Sequence, residues 1–234
     1  MANFGFRRLN AVSPYEPHWR EARSAVGSAE LLQHANESQT LAEAVHDCNL
    51  VLGTGTLTHR KPEQPVVSTD EIVPLVKAEL HRGGRIAVVF GQEKHGLTRE
   101  DLSWCHFLVQ IPTDPQQPSM NLGQAAAIVL YEIAVRTAYD STDVAIDQAD
   151  TDNIAPTGNQ LMTPSGNLDI LAGLIEEVMI AAEYSPAMMQ RANRLDLRVL
   201  LRRMRLQAAD NRRALGLFRR ILWRLRRGQR NVTL

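Results

Sequence analysis

The feature that most constrains this chain is an alternation of short apolar runs with stretches of helical spacing. Each run stops at glycine or proline. Leu50-Val51-Leu52 halts at Gly53-Thr54-Gly55-Thr56, Ile86-Ala87-Val88-Val89-Phe90 at Gly91, and Phe107 to Ile111 at Pro112. These read as buried strands. Between them lie helices with start signals. Thr40 caps a helix over 41–47 with Glu43 in its first turn. Ser68-Thr69-Asp70-Glu71 opens a helix carrying Ile72, Val76 and Leu80 on one face, with Pro74 in its first turn and Gly83-Gly84 at its end. Thr98 and Asp101 form a second capping box, with Leu97 and Leu102 as its hydrophobic staple. A long helix runs over 122–138. Residues 7–12 form a further short strand and 19–26 are helical in character. Alternating strands and helices predict an α/β fold with a mostly parallel sheet covered by helices.

The pattern breaks after residue 138. Residues 141–166, rich in aspartate and small polar side chains, read as an acidic flexible linker. Helical spacing returns at Leu168, with Leu171, Leu174, Ile175 and Val178 in phase, and two more helices follow near 187–205 and 208–227. The formal net charge of zero conceals a strong asymmetry, because residues 190–228 carry thirteen arginines and two aspartates. A basic end on an otherwise acidic chain points to a polyanionic partner, and arginine contacts phosphates in plane and stacks on bases. The competing reading is a solvated helical face. Two cysteines, Cys48 and Cys105, make neither a metal cluster nor a disulfide framework, so a reducing cytoplasm is the expected location. No apolar run reaches the length of a membrane span or a signal peptide.

The three loops after the strands carry a resemblance. Leu50 to Thr56, Val89 to Thr98 (Val-Phe-Gly-Gln-Glu-Lys-His-Gly-Leu-Thr), and Ile111-Pro112 followed by Ser119-Met120-Asn121-Leu122-Gly123-Gln124-Ala125 resemble, in order and spacing, the motifs of the SpoU/TrmH family of the SPOUT superfamily. The resemblance covers about residues 1–138, and the tail resembles the helical extension of its TrmJ branch, which methylates riboses in the tRNA anticodon loop. It implies a sheet whose C-terminal part is threaded into a trefoil knot, an exception to the rule against knots. It also implies a homodimer with S-adenosylmethionine held where the loops meet, and no metal. The implied organisation is a methyltransferase domain over 1–140, the linker over 141–166 and an RNA-binding helical extension over 167–234.

The site residues follow from the matching positions. Thr54, Gly55, Thr56, Gly91, Ile111, Ser119, Met120 and Asn121 are the expected cofactor contacts, and Ser119, Asn121 and Glu93 the expected catalytic group. Glycines 53, 55, 91 and 96 are expected to let the backbone approach a ligand and to take positive φ. Arg191, Arg194, Arg198, Arg202, Arg203, Arg205, Arg212 and Arg213 are the expected RNA contacts. Gly91 to Thr98 also mimics a phosphate-binding loop, but Leu97 stands where its lysine belongs. The Ser119-Met120-Asn121 run also suits a helix cap, a role compatible with cofactor binding.

Family members open with a strand and an Asn-x-Gly motif followed by an arginine. Here the chain begins at Met1-Ala2-Asn3-Phe4-Gly5-Phe6, which resembles the end of that first helix, and Arg7, Arg8, Arg20 and Arg23 lie outside any matching motif. Either the true start lies upstream or the motif is absent. The expected activity is transfer of a methyl group from S-adenosylmethionine to a ribose 2′-hydroxyl of RNA, tRNA foremost. The alternatives are a non-catalytic RNA-binding or cofactor-binding homologue and a structural dimerisation module.

Overall fold

β3 (Leu50–Thr54) lies inside a four-stranded parallel sheet, and its side chains at 50, 51 and 52 are wholly buried. Its neighbours are β5 (Ile86–Val89) on one side and β6 (Phe107–Gln110) on the other, with β4 (Val66–Ser68) beyond β6. In register, Leu52 lies opposite Val88 and Phe107. The computed structural model describes residues 1–15, 19–21, 27–55, 61–143 and 161–232. The expected linker therefore falls mostly outside the described residues, as do Thr56 and residues 22–26.

Two apolar layers explain why β3 carries no polar residue before Thr54 at its end. Leu50 and Leu52 face Phe107, Val109, Ile72, Val73, Val76, Val129 and Ile133. These come from the sheet, from α3 (Ile72–His81) and from α5 (Leu122–Asp143). Val51 faces the opposite way, with Val45, Cys48, Trp104, Cys105 and Leu108. A strand covered on both faces reads as a continuous apolar run. β1 (Asn10–Val12) and β2 (Asn36–Ser38) form a separate parallel pair, shorter than the strand expected over 7–12. Between them lie a 3₁₀ turn at Trp19–Glu21 and the short α1 (Ala29–Gln33).

Most start signals act as read. The Thr40 hydroxyl accepts from the Glu43 N–H at the head of α2 (Leu41–Ala44). Thr98 and Asp101 complete a capping box on α4 (Arg99–Leu102). The box expected at Ser68 to Glu71 does not cap α3: Glu71 is its N-cap and makes no side-chain cap bond, and its carboxylate instead accepts from the N–H and hydroxyl of Ser68 at the end of β4, while Pro74 sits in the first turn, where its missing N–H costs nothing. Two further expectations need correction. Leu80 is exposed, and the buried position on that face of α3 is Glu79, whose pKa burial raises. Glu79 accepts from the N–H of Met162, so the carboxylate anchors a returning segment rather than facing water. Ile86 to Phe90 is half-buried rather than fully buried, because β5 is an edge of the described sheet.

Residues 161–166 pack against the body. Asn49 donates to the Met162 carbonyl at 2.6 Å, and the Ser165 and Gly166 N–H groups donate to the carbonyls of Cys48 and His46. α6 (Ser165–Ala181), α7 (Gln190–Arg203) and α8 (Ala208–Val232) follow, sharing a core of Leu168, Leu171, Ala172 and Leu201.

Two expected RNA contacts prove to be internal. Arg202 is fully buried; it donates to the Trp104 carbonyl at 3.0 Å and to the Ser165 hydroxyl at 2.7 Å, and it lies over the Trp104 ring. Burial lowers its pKa to about 10. Arg198, also buried, donates to Asp169 at 2.7 Å and Glu100 at 2.5 Å and covers Trp104 at 4.2 Å. The reason is geometric: positions 195, 198, 199 and 202 share the inner face of α7, so charge alone did not identify the outer one.

The buried side of the sheet also holds His106, whose Nδ1 accepts from the Val51 N–H at 3.1 Å. Burial, reinforced by Arg202 and Arg205, pushes its pKa down to about 3. As pH falls below about 6.5 the unfolded chain takes up a proton that the folded chain refuses. Stability should then fall by up to about 1.4 kcal/mol per pH unit toward pH 3. Chemical unfolding between pH 7.5 and 5 should show this loss, and His106→Asn should flatten it. Arg202→Ala, which strands the Trp104 and Ser165 acceptors, should cost about 3 kcal/mol in the same assay.

Candidate functional site

The C-terminal ends of β3, β5 and β6 open onto one cleft of about 260 Å³. In a parallel sheet the loops after neighbouring strands meet at that edge, the usual place for a ligand. Thr54 and Gly55 enter from β3, Phe90 and residues 91–97 from β5, and Val109 to Ile111 with Thr113 from β6. Pro118, Ser119, Met120, Leu122 and Ala125 close it from the start of α5. The sequence-derived cofactor positions Thr54, Gly55, Gly91, Ile111, Ser119 and Met120 thus share one cavity, with Thr56 outside the described residues.

Local hydrogen bonds fix each wall. The Thr54 hydroxyl donates to the Val89 carbonyl at 3.1 Å, tying β3 to β5 at the cavity's edge. The loop after β5 closes on itself, with the Gly96 N–H donating to the Gln92 carbonyl at 2.7 Å. Gly96 has φ +64°, a conformation that favours glycine. A Cβ on Gly91 would overlap the backbone of Gly96 and Leu97. Leu97 is buried at the end of the loop.

The glycines have different causes. Only Gly96 of the four in these loops takes positive φ. Gly53 is required by packing, because a Cβ there would stand 2.6 Å from Cys105 Sγ. Gly55 borders the cleft, and a Cβ on it would meet no protein atom within 4 Å.

Asn121 does not line the cleft but governs its rim. Its Oδ1 accepts from the Gly123 N–H at 2.8 Å, capping α5, while its Nδ2 donates to Glu93 Oε1 at 3.1 Å. One side chain therefore holds the loop after β5 to the start of α5. Glu93 lines the cleft, and the cap N–H groups of α5 provide favourable potential for negative charge nearby. Thr113 and Pro118, which donate and accept at 3.4 Å across the loop before α5, escaped sequence reasoning because neither belongs to a glycine motif.

The cleft combines apolar residues (Phe90, Leu97, Val109, Ile111, Met120 and Leu122) with the polar and charged residues Gln92, Glu93, Lys94, His95, Thr113 and Ser119. That donor set suits a flat aromatic base joined to a polar chain. Six expected RNA contacts remain beside buried Arg198 and Arg202. Arg194 is held by Asp169 and Glu176, Arg213 pairs with Asp210, and Arg205 covers the Phe107 ring at 4.6 Å. Arg191, Arg203 and Arg212 are exposed. Further exposed arginines at 219, 220, 224 and 227 were passed over, though the Trp223 among them was a visible signal.

Among the described residues no helix is long and apolar enough to cross a membrane. The model of the SpoU rRNA Methylase family matches residues 1–131. The chain is 37% identical over 134 residues to a tRNA (cytidine/uridine/adenosine-2′-O-)-methyltransferase TrmJ of Pseudomonas aeruginosa, a stretch covering 57% of this chain and 52% of the relative. It is 36% identical over 140 residues to a tRNA (cytidine-2′-O-)-methyltransferase TrmJ of Methanocaldococcus jannaschii, covering 57% of this chain and 58% of that one. The chain spans about half the length of the curated relatives it matches. The crystal structure of TrmJ from Z. mobilis superposes with a TM-score of 0.76 at 25% identity, over 94% of this chain and 89% of that one.

Asn121→Ala should cost about 1 kcal/mol through the lost cap, read as a drop in thermal midpoint. Asn121→Asp keeps the cap acceptor but sets a second carboxylate against Glu93, so its deficit should shrink as pH falls toward 4. Gly53→Ala should destabilise by about 1–3 kcal/mol in urea unfolding, since Cys105 and β6 must move.

Proposed function

Because this chain belongs to the SpoU rRNA Methylase family, we propose that it transfers a methyl group from S-adenosylmethionine to a ribose 2′-hydroxyl of RNA. The substrate class is tRNA, with pyrimidine riboses of the anticodon loop as the first candidates. The observation that carries this reading is the convergence of Thr54, Gly55, Gly91, Ile111, Ser119 and Met120 on one cleft.

When bound, S-adenosylmethionine supplies a methyl group on a sulfonium sulfur that leaves as a neutral thioether. The cleft's residues provide binding and orientation. Phe90, Leu97, Ile111 and Leu122 would hold its adenine, and the backbone around Gly91 and Ile111 would read the edges of that base. Ser119 and Thr113 offer hydroxyls to the polar chain and to the incoming ribose. Glu93, held by Asn121, directs its second oxygen to a donor at the rim, an RNA hydroxyl or a partner arginine. In-line placement of the ribose oxygen is the main catalytic task, worth many powers of ten when it is tight.

The proposed organisation is a knotted methyltransferase unit over 1–140, acting as a homodimer, and a helical extension over 167–234 that holds RNA. Its exposed arginines, not Arg198 or Arg202, make the phosphate contacts. The alternative of a cofactor-binding or RNA-binding homologue without catalysis is separated by the same assay.

Incubation of the purified chain with radiolabelled S-adenosylmethionine and unmodified tRNA should label RNA in an alkali-resistant dinucleotide, the mark of 2′-O-methylation. Ser119→Ala should lower kcat/KM by about tenfold, the loss of one well-placed hydrogen bond. Cofactor binding without labelled RNA would favour the non-catalytic reading. With about four phosphate contacts, tRNA affinity should fall about 100-fold between 50 and 200 mM salt, and a flat response would remove the helices from RNA binding.

A further inference from the structure

α8 has two unlike faces. Its inner face carries Asn211, Ala214, Leu215, Phe218 and Leu222, packed toward α6 or buried. Its outer face carries Arg219, Arg220, Arg224 and Arg227, all exposed and none paired with a carboxylate among the described residues. Arg213 and Arg226 differ, being matched to Asp210 and Glu177. Within the unpaired group stands Trp223, 43% exposed. Arg220 lies over its ring at 4.4 Å and Arg227 at 5.1 Å. Positions 220, 223, 224 and 227 recur at three- and four-residue spacing and so share one stripe of the helix.

Solvation alone does not account for this arrangement. Elsewhere on the same helix Arg213 and Arg226 are matched by acids, whereas here four guanidinium groups and an indole ring share one exposed surface with no carboxylate paired to them among the described residues. Trp104 supplies the internal contrast. It too is covered by two arginines, but it is buried and its arginines are bonded to Asp169, Glu100, Ser165 and its own carbonyl. That cluster is a structural clamp. The Trp223 cluster has the same cation-over-ring chemistry, with an outward surface and uncompensated charge.

We propose that Arg220, Trp223 and Arg227 form a stacking platform for an unpaired nucleobase of RNA, with Arg219 and Arg224 taking the flanking phosphates. Guanidinium planes and an indole ring are the two surfaces on which splayed bases stack, and stacking tolerates any base. A base in a duplex has both faces covered and gains little from such a platform. The helix therefore selects unpaired strand over paired strand, which places a loop rather than a stem on α8. This rests on the reading of the chain as RNA-directed.

The test uses the full chain and two fluorescein-labelled RNAs of equal length, one unpaired and one fully paired, with phosphatidylserine vesicles as a third probe. Trp223→Leu should weaken binding of the unpaired RNA by about tenfold while leaving its salt dependence and the paired RNA unchanged. Trp223→Phe should restore most of the loss, which guards against misfolding of the leucine variant. Arg219→Gln with Arg224→Gln should instead weaken both RNAs and flatten the salt response. If the native chain binds RNA but Trp223→Leu binds both forms as tightly, or weakens both equally, the platform is wrong and the RNA reading stands. If the native chain binds neither RNA, the RNA reading itself fails. Tighter binding to vesicles than to either RNA, lost in Trp223→Leu, overturns the proposal in favour of a membrane surface.

Discussion

β3 is buried on both faces, and that single condition orders the rest of the molecule. Leu50, Val51 and Leu52 have no exposure, so helices must cover both sides of the sheet, and β5 and β6 must flank the strand in parallel. Parallel neighbours end at the same edge, which brings three loops remote in sequence to one cleft. The approach is tight enough that Gly53 has no room for a Cβ beside Cys105. The cleft is thus a consequence of core packing, with its hydrogen bonds added at the rim by Thr54 and Asn121.

The arginines divide between two tasks that composition does not separate. Arg198 and Arg202 are structural, joining α7 to Trp104, Ser165 and Glu100 of the elements before it. Glu100 lies in α4, directly after the loop that closes the cleft, so the C-terminal helices are seated against the base of that loop. The outer face of α8 keeps its charge available. A buried guanidinium satisfied by carbonyls and carboxylates gives little net stability compared with an apolar core, but its removal is costly, and it fixes one orientation of the helices.

Much of this was legible in the sequence because it is set locally. The Thr98 and Asp101 capping box, the Thr40 cap and the apolar runs of β3 and β6 depend on near neighbours and appear as read. Six of the positions read from the three loops meet at one cleft. What escaped depends on partners far along the chain. Leu80 and Glu79 are adjacent on α3, and the carboxylate is the buried one, held by Arg82 and by the returning segment at Met162. The fate of each arginine depends on which face of α7 or α8 meets α6: Leu215, Phe218 and Leu222 mark that face on α8, whereas on α7 Arg198 and Arg202 stand in the buried stripe itself, beside Leu195 and Val199. The roles of Gly53 and Gly91 rest on contacts with Cys105 and Gly96 rather than on φ.

The central claim is that the cleft at the ends of β3, β5 and β6 holds S-adenosylmethionine. Calorimetric titration of the full chain with that compound tests it most directly, with Gly55→Val as the paired variant because residue 55 borders the cleft and a Cβ there meets no protein atom within 4 Å. Saturable binding by the native chain, lost in a variant that melts at a similar temperature, is the expected result. A folded native chain that shows no binding, or a Gly55→Val variant that binds equally well, would contradict the account.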